Sequence, residues 1–312
     1  MTLRLTVERE AWRRHVDHVA RHSPGLVPVV KGNGYGFGRP ALAALAAELA
    51  DTVAVGTVYE LDGLPADVTP VVLTPSLRPP DDHRAILTVG SRRHVEALDG
   101  WHGRVLVKLA SSMRRFGAEG EQLGDVTATA RRAGMEIVGF SVHPPTAGGD
   151  DEHLDDIATW LEVLDPNDEV WVSHLSIDGY AALRKAWPDR RFRIRMGTAL
   201  WHGDKRALHL GADVLDVRPM RSGERAGYRQ VPIDTDGHLV MIGAGTAHGV
   251  HARPDGRSPF HHRRRRLALL EPPHMHTSVV AVPDGDPRPD VGECVDVQQP
   301  LITTQVDEVV WQ

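Results

Sequence analysis

From Leu26 onward the chain repeats one arrangement: an apolar run of five to seven residues, an amphipathic stretch, then another run. The runs are LVPVVK, TVAVG, PVVLT, AILTV, RVLVKL, EIVGFSV, EVWVSHL and RFRIR. Between them, stretches such as RPALAALAAELA, VTATARRAGM and EHLDDIATWLEVL carry Ala, Leu, Glu and Arg at helical spacing. Eight apolar runs alternating with helical patterns predict a parallel barrel. An opening strand, Leu3 to Val7, and a helix, Glu8 to His22, precede it. All eight units fit between Leu26 and Gly203, which is compact against a typical barrel of about 250 residues and predicts tight connections.

Beyond Gly211 the period changes to strand-like alternation broken by Gly, Pro and Asp, as in ERAGYRQVPIDTDGHLVMIGAG. The expected architecture is therefore α/β: a (β/α)8 TIM-type barrel over residues 1–210, including the N-terminal strand and helix, followed by a C-terminal all-β domain over 211–312. A length of 312 residues suits such a pair, since single cores stop growing near about 250 to 300 residues.

Composition narrows the function classes. A hydrophobic content of 41% and a charged content of 25% are ordinary for a globular protein. The net charge of −6 gives no general attraction to nucleic acid. His261 to Arg266, HHRRRR, is the local exception, and it reads as a solvated turn or interface edge because no aromatic residues interleave it. The one cysteine, Cys294, cannot form an intrachain disulfide, and MTLRLTVEREAWRR lacks the apolar core of a signal peptide. No stretch approaches the roughly 20 apolar residues that cross a bilayer. A cytoplasmic enzyme without membrane or nucleic-acid partners is the expectation. No histidine spacing matches a recognised zinc site, so no metal is assigned.

The chemistry concentrates in VVKGNGYGFG, residues 29–38. Lys31 terminates the first barrel strand, at the end where barrels place catalytic groups. The glycine spacing fails the dinucleotide fingerprint, and a phosphate-binding P-loop would place its lysine after the glycines. A lysine among low-dielectric barrel walls loses some preference for its charged form, and the free amine attacks carbonyls to form a Schiff base. The alternative is a lysine that snorkels out of the mouth. Taken alone, Lys31 does not decide between them.

VVKGNGYGFG closely resembles the VVKANAYGHG signature of the alanine racemase family, fold-type III enzymes dependent on pyridoxal 5′-phosphate. The resemblance implies that Lys31 carries the cofactor as an internal aldimine and that Tyr35 hydrogen-bonds its phosphate. RVLVKLASSMRRFG, residues 104–117, is similar to the family's KxDTGMxRLG element, with Lys108, Met113 and Arg115 at matching positions. Arg115 would contact the ring hydroxyl and the substrate carboxylate, and Lys108, often carbamylated in the family, would orient it. A surface ion pair is the plainer reading of Arg115. His143 in FSVHPP matches the histidine that sits against the cofactor ring. RIRMGTALWHG resembles RPGxxLYG, so that Arg195 would face the pyridine nitrogen while Gly197 and Thr198 bind phosphate. SGERAGYR resembles GExVSYG and places Tyr228 on the second base, supplied by the partner subunit of a homodimer. A tyrosine filling the β-domain core is the competing reading of Tyr228.

The pattern departs in four places. The phosphate-binding HxANS element reads HLSID, leaving Ser176 as the nearest substitute and Asp178 as a repulsive neighbour. GYADGY reads GTAHGV, and CMDQ reads HMHT, where Met275 is retained and its amide would meet the substrate carboxylate. A C-terminal segment carrying a further tyrosine has no counterpart before LITTQVDEVVWQ ends. These departures are expected on the substrate side or the partner-derived wall, while the lysine, the ring arginine and the barrel phosphate loop are retained. The expectation is a racemase or epimerase of an amino acid that need not be alanine, with Lys31 and Tyr228 as its two bases. The alternatives are a decarboxylase-like enzyme and a catalytically silent cofactor-binding or regulatory protein.

Overall fold

The computed structural model describes residues 2–312. The chain opens on β1 (Leu3–Val7) and α1 (Arg9–His22). It continues through β2 (Leu26–Pro28), α2 (Arg39–Ala47), β3 (Thr52–Val55), β4 (Thr69–Val72), β5 (Ile86–Val89), α3 (Arg92–Ala97) and β6 (Arg104–Lys108). Then come α4 (Gly120–Arg132), β7 (Glu136–Ser141), α5 (Asp150–Leu161), β8 (Val170–Ser173), α6 (Ile177–Ala186), β9 (Phe192–Met196) and the short α7 (Thr198–Trp201).

Strands β2 to β9 form one parallel sheet in the order β2-β9-β8-β7-β6-β5-β4-β3. A parallel bridge from Val29 to Ala54 links its two ends, so the sheet is a nearly closed barrel. Every residue of β3, β5 and β8 is buried, which is why these strands read as continuous apolar runs rather than alternating ones. The helices cover the outer face with one apolar stripe each; α4 buries Val126, Thr127 and Ala130.

The rest of the chain is antiparallel: β10 (Leu208–Met220), β11 (Arg225–Ala226), β12 (Val231–Pro232), β13 (Gly237–Ile242), β14 (Phe260–His262), β15 (Arg265–Arg266), β16 (Ala268–Leu269), β17 (Ser278–Pro283), β18 (Cys294–Val297) and β19 (Glu308–Trp311). The main sheet runs β15-β14-β18-β10-β13-β17-β16. Its core includes Val214, Val240, Ile242, Phe260, Val280 and Val295.

The N-terminal strand belongs to this sheet. β1 pairs antiparallel with β10 and parallel with β19, and Leu3, Leu5 and Val7 are fully buried. The two compact units are therefore not divided by a single cut. One comprises the N-terminal segment through Arg13, Tyr35–Gly38 and Asp204–Gln312; the other comprises Arg14–Gly34 and Arg39–Gly203. The alternation in LRLTV signals a half-buried strand but not which sheet it joins.

HHRRRR is a hairpin. Arg263 and Arg264 both take left-handed backbone angles, φ 48° and 68°, as a tight two-residue turn requires. Arg265 is ion-paired with Asp286, and Arg266 donates to Gln298 at 3.0 Å. No helix among the described residues is long and apolar enough to cross a membrane.

Candidate active site

In the barrel unit the ends of β2, β6, β7, β8 and β9 deliver Lys31, Lys108, His143, Ser173 and Arg195 to one rim. This is the C-terminal rim of the parallel strands, where side chains of neighbouring strands converge while the loops stay free to vary.

Lys31 lies just past β2. The loop after it winds left-handed: Gly32, Gly34, Tyr35, Gly36 and Gly38 all have φ between 56° and 89°. Non-glycine residues rarely adopt this region, which explains the alternating glycines. Gly34 also lacks room, since a Cβ there would lie 2.7 Å from the Cα of Arg39. Glu60 fixes the start of the loop, accepting from the amides of Gly32 at 3.2 Å and Gly56 at 2.6 Å. A Cβ on Gly56 would come within 3.3 Å of the Lys31 Cβ, so glycine there keeps that side of the lysine open.

Lys31 is exposed at the mouth, yet enough protein surrounds it to strip part of its hydration. That desolvation lowers the amine's pKa, and the Arg115 and Arg195 guanidiniums lower it further, against the opposing charge of Glu60. The result is an amine readier to act as a nucleophile than an ordinary lysine.

Arg195 is 8% exposed. It donates to the carbonyl of Val142 at 2.7 Å and to Ser173 Oγ at 3.4 Å. Burial, then Arg115, brings its pKa down to about 10, so it stays cationic at neutral pH. Ser173 Oγ also pairs with His143 Nδ1. Burial, followed by Arg195 and Lys108, pushes the imidazole far below its usual range, so His143 is neutral. Arg115 is exposed, with its guanidinium 4.5 Å from the Phe116 ring centroid.

Lys108 is 4% exposed and its Nζ has no hydrogen-bond partner among the described residues. Burial drives its pKa well down, and Arg195 and Arg115 add to the shift. A buried amine without an acceptor costs about 1 to 3 kcal/mol.

At the positions where the resemblance implies phosphate binding, the serine is already engaged within the protein. Ser176 caps α6, accepting from the Gly179 amide at 3.0 Å, and its hydroxyl pairs with Asp150. Asp150 also accepts from the Ser176 amide at 2.9 Å, so the hydroxyl is engaged and a carboxylate stands beside it. Asp178 is exposed in the first turn of α6. Gly197 and Thr198 begin α7 at the end of β9.

The other unit carries Tyr35, Tyr228 and Met275. Tyr35 is buried, and burial raises its phenol to about 12. Tyr228 does not fill the β-domain core: it is 86% exposed. Beneath it, Glu271 accepts from the amides of Tyr228 and Arg229, each at 2.9 Å, and pairs with His274 Nε2 at 2.7 Å. The His274 ring lies 4.5 Å from the Tyr228 ring. Met275 is 66% exposed. Its carbonyl and that of His274 accept from Ala247 and Thr246, each at 2.8 Å, so HMHT and GTAH form one wall.

Sequence reasoning missed Glu60, Ser173, Asp150 and Glu271. Glu60 has no local signal, since it meets Gly32 only through folding. EPPH offered a hint for Glu271, because two prolines stiffen the spacing between an acid and a histidine. Among the described residues no group of three or more His, Cys, Asp or Glu could hold a metal ion.

Residues 7–204 match the family model described as alanine racemase, N-terminal domain. A search of curated protein sequences found no match. Among solved structures, the chain is similar to alanine racemase from Bartonella henselae with covalently bound pyridoxal phosphate, at 19% identity and a TM-score of 0.74, covering 100% of both chains. It is also similar to alanine racemase from Streptomyces coelicolor A3(2), at 17% identity and 0.70, covering 99% of this chain and 98% of that one. The biosynthetic alanine racemase from Pseudomonas aeruginosa gives 19% and 0.68, covering 100% and 99%.

Proposed function

Because the chain belongs to the alanine racemase family, we propose that it is a pyridoxal 5′-phosphate-dependent amino-acid racemase or epimerase that works as a homodimer. The observation that carries this reading is the amine of Lys31, held at a strand end with its proton loosened by desolvation and two guanidiniums.

The donor set fits the cofactor. A nucleophilic amine suits an aldehyde, and Arg115 and Arg195 beside it supply positive charge suited to a phosphorylated, phenolic ring. Lys31 would carry the group, Arg195 would face its ring nitrogen, His143 its ring, and Arg115 its phenolic oxygen and the substrate carboxylate. Tyr35, Gly197 and Thr198 would take the phosphate, and Ser176 would join them only by releasing Asp150. Lys108 is suited to combining with carbon dioxide as a carbamate, losing a proton and turning an orphaned amine into an acceptor for Arg115.

When bound, pyridoxal phosphate draws electrons from the substrate Cα and makes its proton removable. Arg195 remains cationic and does not readily give a proton to the ring nitrogen, which limits that withdrawal and favours simple return of a proton to Cα. Nζ of Lys31 would move the proton on one face of the substrate. Oη of Tyr228, contributed by a second copy of the chain, would move it on the other. The same cationic Arg195 disfavours the decarboxylase reading.

The test is incubation of purified protein, supplied with pyridoxal phosphate, with single L-amino acids in deuterium oxide. A racemase incorporates α-deuterium and produces the D-enantiomer. Release of carbon dioxide would indicate a decarboxylase, and neither result across a broad panel would indicate a binding or regulatory protein.

A further inference from the structure

An exposed tyrosine ordinarily samples several rotamers, and fixing one costs conformational entropy. Tyr228 has an unusual amount of structure beneath it. The Glu271 carboxylate is buried, and it accepts three hydrogen bonds: from the amide of Tyr228, the amide of Arg229 and the ring of His274. Burial raises the pKa of this carboxyl, but the bonds from Arg229, His274 and Tyr228 outweigh it and keep the group ionised.

The backbone is shaped for that contact. Gly227 has φ 77°, and a Cβ there would strike the Glu271 carboxylate, 2.6 Å from its Cδ. Pro272 and Pro273 stiffen the link from Glu271 to His274. His274 is anchored at both ends, its amide donating to Thr277 and its carbonyl accepting from Thr246, each at 2.8 Å. Its ring, fixed through Nε2 by the carboxylate, packs against the Tyr228 ring with the planes at 56°.

We propose that Glu271 and His274 are positioning residues that hold the Tyr228 phenol in its working orientation, the carboxylate fixing the backbone on which Tyr228 sits and the imidazole fixing its ring. This rests on the reading of Tyr228 as a proton-transferring group. Both would act through Tyr228 rather than on the substrate. Preorganisation of this kind acts on the rate of the step and leaves substrate affinity nearly unchanged.

The test labels the full-length, cofactor-loaded chain with 3-fluorotyrosine, which gives four fluorine signals for the four tyrosines. Tyr228→Phe identifies the signal to follow. A held ring gives a signal displaced from that of free fluorotyrosine. His274→Ala and Glu271→Gln are expected to return it toward the free position, whereas His274→Phe, which keeps a ring beneath the phenol, retains much of the displacement. A signal already at the free position, or unmoved in both disruptive variants, overturns the proposal. Because Glu271 is buried, Glu271→Gln can fail to fold, and half-buried His274 then decides.

In the same variants α-deuterium exchange is followed with the fastest-reacting of a panel of L-amino acids. The expected result for His274→Ala is a fall in kcat of about tenfold or more with KM little changed. An unchanged kcat overturns the positioning role. Should Tyr228→Phe itself leave exchange intact, the reading of Tyr228 fails, while the fluorine signal still reports whether the platform holds the ring.

Discussion

The barrel rim and the Tyr228 platform handle polar groups in opposite ways. At the rim, Arg115 and Arg195 lower the proton affinity of Lys31 and Lys108, Arg115 lowers that of Arg195, and the Lys108 amine has no acceptor among the described residues. On the platform, one buried carboxylate is matched to three donors, and the tyrosine it supports projects outward. The rim gathers cationic groups, an arrangement that suits an anionic ligand. The platform is matched within itself, an arrangement that suits a support.

The largest effect expected from this contrast is catalytic. Replacing Tyr228 with Phe removes one hydroxyl from an exposed side chain, so stability should hardly move. α-Deuterium exchange should fall about 10²- to 10⁴-fold, the usual worth of a positioned acid or base. Circular dichroism melting alongside the exchange assay checks both halves.

Next is the cost of the buried rim amine. The folded pKa of Lys108 lies below its unfolded value of 10.5. The unfolded chain therefore binds more protons between those values, and stability contributed by this group rises with pH across that window. Below the window the buried amine costs the most. Lys108→Met should stabilise the cofactor-free chain near pH 7 by about 1 to 3 kcal/mol, read as a higher Tm, while lowering activity. A lower Tm would mean that the amine has an acceptor in solution.

Histidine gives a smaller and differently placed signal. His143 stays neutral when folded but takes a proton near 6.5 when unfolded. Stability therefore falls as pH drops below about 6.5, by at most about 1.4 kcal/mol per pH unit for this group. Urea unfolding of His143→Gln at pH 7 and 5.5 should show a shallower decline than the parent. His94 and His174, also lowered, keep part of the slope in place.

The smallest effect sharpens the role of Glu60. Its charge raises the Lys31 pKa against the surrounding cations, so Glu60→Gln should move the pH midpoint of the amine's reaction with an aldehyde downward. A midpoint that stays or rises would remove Glu60 from the electrostatics of the lysine.

Much of this contrast was legible in the sequence, and unevenly. Each of the eight apolar runs from Leu26 to Arg195 falls on a barrel strand, most legibly where the strand is buried throughout, as in β3, β5 and β8. Lys31 stood out for a local reason: the glycines after it are required by the left-handed loop. Partnerships across the chain did not show. β1 reads as a strand wherever it lies, and its place beside β10 and β19 is set by complementary buried faces far away in sequence. Ser176 was the nearest substitute for a motif serine whose own position falls on Asp178, but its engagement with Asp150 depends on how the start of α5 approaches α6. EPPH hinted at Glu271 only through His274, since most of its partners are amides more than forty residues earlier.

The central claim, that Lys31 is the residue joined to the cofactor, has a direct test. The purified chain is incubated with pyridoxal phosphate, reduced with borohydride, digested and sequenced by mass spectrometry. The account predicts a stable phosphopyridoxyl adduct on the Lys31 peptide, abolished in Lys31→Ala. An unmodified Lys31 peptide, or equal labelling of surface Lys185 and Lys205, would contradict it.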